Sequence, residues 1–205
     1  MSEWLARISP ELSELLSFFV SVALLQNVIL TTGFGSSIML HIVKKPKSIW
    51  LFSGILGAFS VLTVVIAYPL DRYFGTAANN LWRPVMMVGI TVVLYIASYL
   101  LLQWLLPTFH ARVSRLLPMC AFNNLVTGIA MVCNAHFHSG LAGNIGLAIG
   151  SALSFGILTW LTAEGIERMD NPDMPEAFRG APSTLLYVGL LALALMGFVS
   201  NFSLI

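Results

Sequence analysis

Charged residues are scarce in this chain. Of its 205 residues, 9% are charged and 58% are hydrophobic, with ten Lys and Arg against nine Asp and Glu. Soluble domains carry about 25% charged residues, so a chain of this size could not bury so much apolar surface in water. The mean hydropathy of +0.87 predicts a protein whose solvent is lipid. A net charge of +1 is too small to create a long-range electrostatic field that would attract nucleic acid.

Other absences narrow the function further. The start MSEWLARISPELSELL lacks the basic region, apolar run and cleavage site of a signal peptide, so the first span is expected to direct its own insertion. The only two cysteines, Cys120 and Cys133, lie in apolar sequence and are predicted to be buried free thiols. No Asp or Glu falls in the central part of a predicted span, which argues against a self-contained proton pump. No P-loop, catalytic triad or zinc spacing is present.

Charge-free stretches predict six membrane-spanning helices. The stretches cover residues 15–43, 48–70, 84–111, 116–163 and 180–205, and one span needs about 20 residues. The fourth stretch has 48 residues and must hold two spans, joined by a hairpin in the polar, glycine-rich residues 134–144. The loops after spans 1, 3 and 5 hold seven Lys and Arg, and the opposite side holds three. The positive-inside rule therefore predicts that both termini lie outside the cytoplasm.

Two short motifs indicate an internal repeat. QNVILTTG begins at Gln26 in span 1 and NNLVTGIA begins at Asn123 in span 4, and both combine an amide pair, aliphatic residues, Thr and Gly. Each motif falls in the first span of a three-span half, and two such halves in series insert with opposite orientation. The sequence therefore predicts an all-α membrane protein, a single transmembrane domain over residues 1–205, with inverted repeats at about 11–107 and 113–204.

Helix-breaking residues predict that spans 1 and 4 are interrupted near the midplane. Gly33 and Gly35 loosen span 1, and Pro118 and Gly128 flank the asparagine pair of span 4. Broken helices survive in lipid only where protein or a cavity covers them. Tight packing through small residues, with asparagines bonding across helices, is the alternative interpretation. We expect a shared hinge site lined by half-helix ends and by Asn27, Thr31, Thr32, Gly33, Gly35, Ser37, Pro118, Asn123, Asn124 and Gly128.

Four segments resemble, in their order along the chain, the integral-membrane subunits of the Rnf and Nqr ion-translocating oxidoreductases. They read NVIL…GFGSS, RLLPMCAFNNLVTGIA, IERM…MPEAFRG and LALALMGF. The loop ending at Arg179 and Gly180, followed by a last span with Met196, Gly197 and Phe198, is similar to the RnfA/NqrE branch rather than the RnfE/NqrD branch. The resemblance runs from span 1 to span 6.

This resemblance implies that the chain belongs to a complex in the bacterial inner membrane. Such complexes move electrons between NADH, ferredoxin or quinone and pump Na⁺ or H⁺. The implied partners are an RnfE/NqrD-like paralogous membrane subunit, which forms a pseudo-symmetric pair with this chain, and the other subunits of the complex. In the family, each member of the pair gives two cysteines, one from each broken span, to an intramembrane [2Fe–2S] cluster. Both termini would then be periplasmic.

The chain departs from the family at these ligand positions. Ser37 and Asn124 stand where the family has its cysteines. Iron–sulfur clusters are held by thiolates, which a serine hydroxyl and a neutral amide replace poorly. Cys120 would share a face with Asn124 if the helix were continuous, but one thiol does not replace a pair. We expect no cofactor on this chain, which puts its redox role in question. The alternatives are a cluster-free transporter and a structural membrane subunit.

Two further groups of residues have competing interpretations. His136 and His138 lack a third metal ligand nearby, so a loop or interface pair is favoured and no metal site is predicted. Arg179 and Gly180, in the predicted cytoplasmic loop, are candidates for docking a partner protein, and a simple positive-inside anchor explains the arginine equally well. No residue is predicted to be catalytic.

Overall fold

The computed structural model describes residues 10–22, 36–43, 48–74, 82–105, 107–136, 140–169, 175 and 180–202. Within these residues the chain forms helices and no strands, as a chain in lipid requires when each segment must satisfy its own backbone. The helices are α1 Pro10–Val20, α2 Ser36–Ile42, α3 Ile49–Phe74, α4 Trp82–Leu105, α5 Pro107–Val113, α6 Leu117–Ala121, α7 Asn124–His136, α8 Leu141–Met169 and α9 Ala181–Phe202.

Among the described residues, three helices are long and apolar enough to cross a membrane. They are Ile49–Tyr73 within α3, Trp82–Leu105 and Leu141–Met169, and they coincide with predicted spans 2, 3 and 5. Two shorter apolar segments, Leu117–Cys133 and Pro182–Leu195, lie in predicted spans 4 and 6. The all-helical class is therefore confirmed. The count of six spans and the inverted repeats stay predictions.

The centre of the molecule is the antiparallel pair α3 and α8. Ser53 Oγ donates a hydrogen bond to the carbonyl oxygen of Ala152 at 2.6 Å. A Cβ built on Gly57 would lie 3.0 Å from the Cβ of Ala152. Small residues allow this close approach, which matters in lipid because apolar side chains gain little from leaving an apolar solvent. The buried rings of Phe52 and Phe155 meet along the same seam, with 5.5 Å between their centroids.

Contacts between neighbours fix the relative directions of the central helices. Arg83 at the start of α4 meets Asp71 at the end of α3, so these helices are antiparallel. Cys120 in α6 lies against Phe52 near the start of α3, and Cys133 near the end of α7 lies within electrostatic range of Asp71. The α6–α7 segment therefore runs parallel to α3. Directions that alternate along the chain are the pattern of consecutive membrane crossings.

Helix α1 packs along the first half of α8. The Glu14 carboxylate accepts a hydrogen bond from the backbone N–H of Gly140 at 2.7 Å, where α8 begins. A carboxylate at a helix N-terminus is stabilised by the free N–H groups and the helix dipole. Farther along, the backbone of Gly146 lies so close to Leu15 that a Cβ would collide with the Leu15 carbonyl. These contacts hold the two helices side by side.

The hairpin between predicted spans 4 and 5 is shorter than expected. The sequence predicts it over residues 134–144, but α7 extends to His136 and α8 already begins at Leu141. Asn144 lies inside α8 and is fully buried. Polar and glycine content indicates a loop, whereas packing against α1 and α7 keeps these residues helical.

Candidate functional site

The fourth predicted span is broken into α6 and α7 at Phe122 and Asn123. Pro118 lies in the first turn of α6, where its missing N–H is not needed. The last turn closes with a hydrogen bond from the backbone N–H of Phe122 to the Pro118 carbonyl at 3.0 Å. Gly128 is buried within α7. Pro118 and Gly128 therefore flank the break, and neither one sits at it.

Asn123 occupies the break and caps α7. Its Oδ1 accepts a hydrogen bond from the Leu125 N–H at 3.0 Å, which is the N-cap geometry. The side chain is 1% exposed, and its Nδ2 has no hydrogen-bond partner among the described residues. A buried donor without a partner costs about 1–3 kcal/mol. The break therefore carries a buried amide donor that no described residue accepts.

Asn124 and Phe122, on either side of Asn123, face the protein surface. Asn124 is exposed at the first position of α7, and Phe122 is 49% exposed. The Phe122 ring packs on Tyr95 of α4 with 5.3 Å between centroids. An amide and an aromatic ring thus stand together on the surface of an otherwise apolar segment.

The two thiols lie apart from Asn124. Cys120 is fully buried, with its Sγ 3.8 Å from the carbonyl oxygen of Phe52. The helix is not continuous between Cys120 and Asn124, so the condition for a shared face is not met. Cys133 is also buried, with its Sγ 4.0 Å from the carbonyl oxygen of Asn144.

This donor set does not fit a [2Fe–2S] cluster. The two family ligand positions hold Ser37, in α2, and the exposed amide of Asn124. Cys120 and Cys133 each face a different backbone carbonyl. Iron–sulfur clusters are bound by thiolates or, in some centres, by histidine, and neither family ligand position supplies such a group.

The polar patch of span 1 lies largely outside the described residues, including Asn27, Thr31, Thr32, Gly33 and Gly35. Helix α1 is followed by a π-helical turn at residues 21–22, and α2 begins on the far side of the patch. The structure therefore brings together Pro118, Asn123, Asn124 and Gly128 on α6–α7. A shared site with span 1 stays a prediction.

Gly180 has a local structural role. Its φ of 84° lies in the left-handed region that favours glycine. Its carbonyl oxygen accepts hydrogen bonds from the Ser183 hydroxyl at 2.9 Å and the Thr184 N–H at 3.2 Å, which starts α9. Turn geometry accounts for Gly180, while Arg179 lies outside the described residues. Docking by Arg179 and Gly180 stays a prediction.

A buried ion pair is a feature that the sequence analysis did not predict. Arg83 donates from Nε to Asp71 Oδ1 at 3.0 Å and from Nη2 to Oδ2 at 3.1 Å, and the side chains are 7% and 2% exposed. By the charge-free stretches, both residues belong to the loop between spans 2 and 3. The signal that could have found them is the opposite charge at the facing ends of two consecutive spans. Intramembrane charges that pair with each other commonly mark functional sites.

No family model matches the chain. The chain is similar to a protein from Pasteurella multocida (strain Pm70) that is named as the A subunit of an ion-translocating oxidoreductase complex, with 28% identity over 190 residues, 91% of this chain and 97% of that protein. A protein of the same name from Histophilus somni (strain 2336) is 29% identical over 182 residues, 87% of this chain and 93% of that protein. A third protein of this name, from Azoarcus sp. (strain BH72), is 28% identical over 191 residues, which cover 91% of this chain and 97% of that protein.

These similarities extend along nearly the full length of both chains. They agree with the apolar helices described above and with the segments that carry the resemblance in the sequence. The chain is a multi-pass membrane protein that is similar, along nearly its full length, to the A subunits of ion-translocating oxidoreductase complexes.

Proposed function

We propose that the chain is a membrane subunit of an Rnf/Nqr-type complex in the bacterial inner membrane. The complex would couple electron transfer among NADH, ferredoxin or quinone to the translocation of Na⁺ or H⁺. Support comes from the end-to-end similarity to the A subunits of such complexes and from the interrupted span 4. The distribution of Lys and Arg supports periplasmic termini.

The observation that carries this proposal is the exposed amide of Asn124 beside the break. It stands on the surface of the apolar segment Leu117–Cys133. An amide that faces lipid finds no hydrogen-bond partner there, which is costly. We therefore infer that a second membrane protein covers this face. A paralogous RnfE/NqrD-like subunit fits, because its own broken spans would meet the hinge residues of this chain across a pseudo-two-fold axis.

The proposed role of this chain is in ion movement and assembly rather than in carrying electrons. Ser37 and Asn124 offer a hydroxyl and an amide where the family has thiolates. A break lined by amides and helix ends can bind a partially hydrated ion or water, as in other broken-helix membrane proteins. Electrons would then pass through other subunits.

A purification experiment tests the interface. The tagged chain is purified gently from its native membrane as the parent, as Asn124→Leu and as Gln103→Leu. Both variants replace an exposed amide by leucine, but Gln103 lies on α4, away from the break. We expect Asn124→Leu to lose the partner by about ten-fold or more, equivalent to about 1.4 kcal/mol, and Gln103→Leu to keep it. Retention of the partner and of NADH-driven cation uptake by Asn124→Leu would contradict the proposed interface.

Iron analysis and EPR of the same preparations test the cofactor assignment. We expect no [2Fe–2S] signal that depends on this chain. Two irons per heterodimer, with a signal that disappears in Ser37→Ala or Cys120→Ala, would overturn this assignment. Cation or solute flux through the reconstituted chain alone would indicate a cluster-free transporter. A partner-bound chain whose Asn27→Leu and Asn123→Leu variants leave coupled uptake unchanged would indicate a structural role only.

A further inference from the structure

The inward face of α3 changes chemical character halfway along the helix. In the first half this face is apolar and fully buried, and it consists of Ile49, Phe52 and Leu56. In the second half the same face carries Ser60, Thr63, Ala67 and Asp71, which are small or polar, and the buried apolar Phe59 and Val64 lie at its edges. Spacings of three and four residues keep all of these side chains on one side of the helix. We call Ser60, Thr63, Ala67 and Asp71 the polar stripe.

The hydroxyls of the polar stripe do not bond to their own helix. Ser60 Oγ and Thr63 Oγ1 are 0% exposed and have no hydrogen-bond partner in the part of the chain that the structure describes. On α8, Ser154 Oγ is also without a partner among the described residues, whereas Thr159 donates to the Phe155 carbonyl at 2.6 Å. Residues that served packing alone would be expected to bond in this way. The hydroxyls of the polar stripe therefore require another partner, and ordered water is the common one.

The polar stripe connects two other polar groups. At one end is the buried pair of Asp71 and Arg83. Toward the other end is Asn123, whose Nδ2 is unpaired among the described residues. Because α6–α7 runs parallel to α3, with Cys120 at the level of Phe52, Asn123 lies on the side of the first residues of the stripe. From Ser60 to Asp71 the helix rises about 16 Å, roughly half the thickness of a hydrocarbon core.

We propose that water enters the protein along the polar stripe of α3, between the helix break at Asn123 and the ion pair of Asp71 and Arg83, which forms the outer limit of this path. Ser60 and Thr63 hydroxyls both donate to and accept from water, and the Asn123 amide donates to it. The path rests on these buried side chains. That its cargo is a proton or a small monovalent cation rests on the proposed function. The ion pair would have to loosen for the cargo to pass.

The unmodified protein contains a matched pair of reporters for this path. Cys133 lies near the ion pair, and Cys120 lies at the apolar level of Phe52, while both are at most 1% exposed. Hydroxyl radicals generated from water by brief X-ray irradiation oxidise side chains that contact bound water. We expect Cys133 to be oxidised at least about five-fold faster than Cys120, because Cys133 lies near the polar outer end of the path, whereas the Cys120 Sγ faces the apolar half of α3 at Phe52. Equal rates would overturn the proposal.

Thiol labelling tests the same path from outside. In a background with both native cysteines changed to alanine, Thr63→Cys is compared with Leu56→Cys, which lies on the same face in the apolar half. Tyr73→Cys, 85% exposed near the end of α3, is the positive control. A membrane-impermeant cationic methanethiosulfonate, added on the α3 C-terminal side, should label Thr63→Cys about ten-fold faster than Leu56→Cys, since water gives the reagent access. Equally slow labelling of both would contradict the path.

The same labelling assay, in the background without native cysteines, tests whether the ion pair limits access to the path. Combining Thr63→Cys with Asp71→Asn and Arg83→Gln removes both charges, and we expect labelling to become faster because the outer limit opens. An unchanged rate would mean that the pair does not limit access. Labelling that follows the predicted pattern, in a protein without coupled cation uptake, would support the path and contradict the proposed function. Coupled uptake without labelling of Thr63→Cys would support the proposed function and contradict the path.

Discussion

The replacement of Gly146 by alanine should separate α1 from α8. Gly146 is buried in α8, and a Cβ on it would overlap the carbonyl oxygen of Leu15, with the Leu15 carbonyl carbon at 3.0 Å and its Cα at 3.1 Å. All three atoms belong to the backbone, so no side chain can rotate to make room. The helices themselves must move apart.

The size of the effect follows from three contributions. Overpacking costs about 1–3 kcal/mol. Displacing α1 also stretches the 2.7 Å hydrogen bond from Gly140 to Glu14, and a bond to a charged group is worth about 1.5–3 kcal/mol when fully formed. Alanine stabilises the helix by about 1 kcal/mol relative to glycine because of its higher helix propensity, which offsets part of this loss. We expect Gly146→Ala to lower the free energy of unfolding by about 2 kcal/mol.

The assay is reversible unfolding in mixed micelles, followed by circular dichroism, with hydrogen exchange to locate the change. Gly89→Ala is the matched control, because the same substitution in α4 meets nothing within 4 Å. We expect faster amide exchange in α1 for Gly146→Ala and parent-like exchange for Gly89→Ala. If the two variants unfold at the same detergent fraction, the close approach of α1 and α8 does not exist as described.

Substitutions at three other places in the fold give distinct outcomes. Changing Asp71→Asn or Arg83→Gln alone should destabilise the fold by about 3–5 kcal/mol, because each removes one charge of the buried ion pair and leaves the other charge buried. Changing both together should cost less, and equal effects of the single and double changes in unfolding titrations would argue against the pair. Asn123→Ala should cost about 1 kcal/mol through loss of the α7 cap, and Asn123→Ser, which retains a cap oxygen, should restore most of it in the same titrations. A Cβ on Gly165 would overlap the Tyr187 ring, so Gly165→Ala should speed proteolysis or hydrogen exchange in α9, while Gly189→Ala, with nothing within 4 Å, should not.

The sequence predicts well those features that depend on composition along one segment. Charge-free runs locate α3, α4 and α8, because a spanning helix must be apolar over its own length. Pro118 and Gly128 flank the break in span 4, but neither lies at it, because Pro118 is in the first turn of α6 and Gly128 is inside α7.

Features that depend on which segments meet are missed or misjudged from the sequence. Asp71 and Arg83 look like loop charges, and only the antiparallel packing of α3 against α4 buries them together. Asn144 looks like part of a hairpin, but its packing in α8 buries it. The face of Cys120 is inferred for a continuous helix, whereas the break at Asn123 separates it from Asn124. In all three cases the tertiary contacts decide whether the residue is buried and which face it lies on. The local sequence pattern does not show which segments come into contact.

The contact between Glu14 and Gly140 has a consequence for how the protein is made. Its two partners are 126 residues apart, and the N-terminal one is synthesised first. At roughly 5–20 residues per second, α1 must wait about 6–25 s before the start of α8 leaves the ribosome. During that interval the Glu14 carboxylate lacks the N–H group of Gly140, and α1 lacks its contacts with α8. Final seating of α1 is therefore a late event in biogenesis, after the second half of the chain has entered the bilayer.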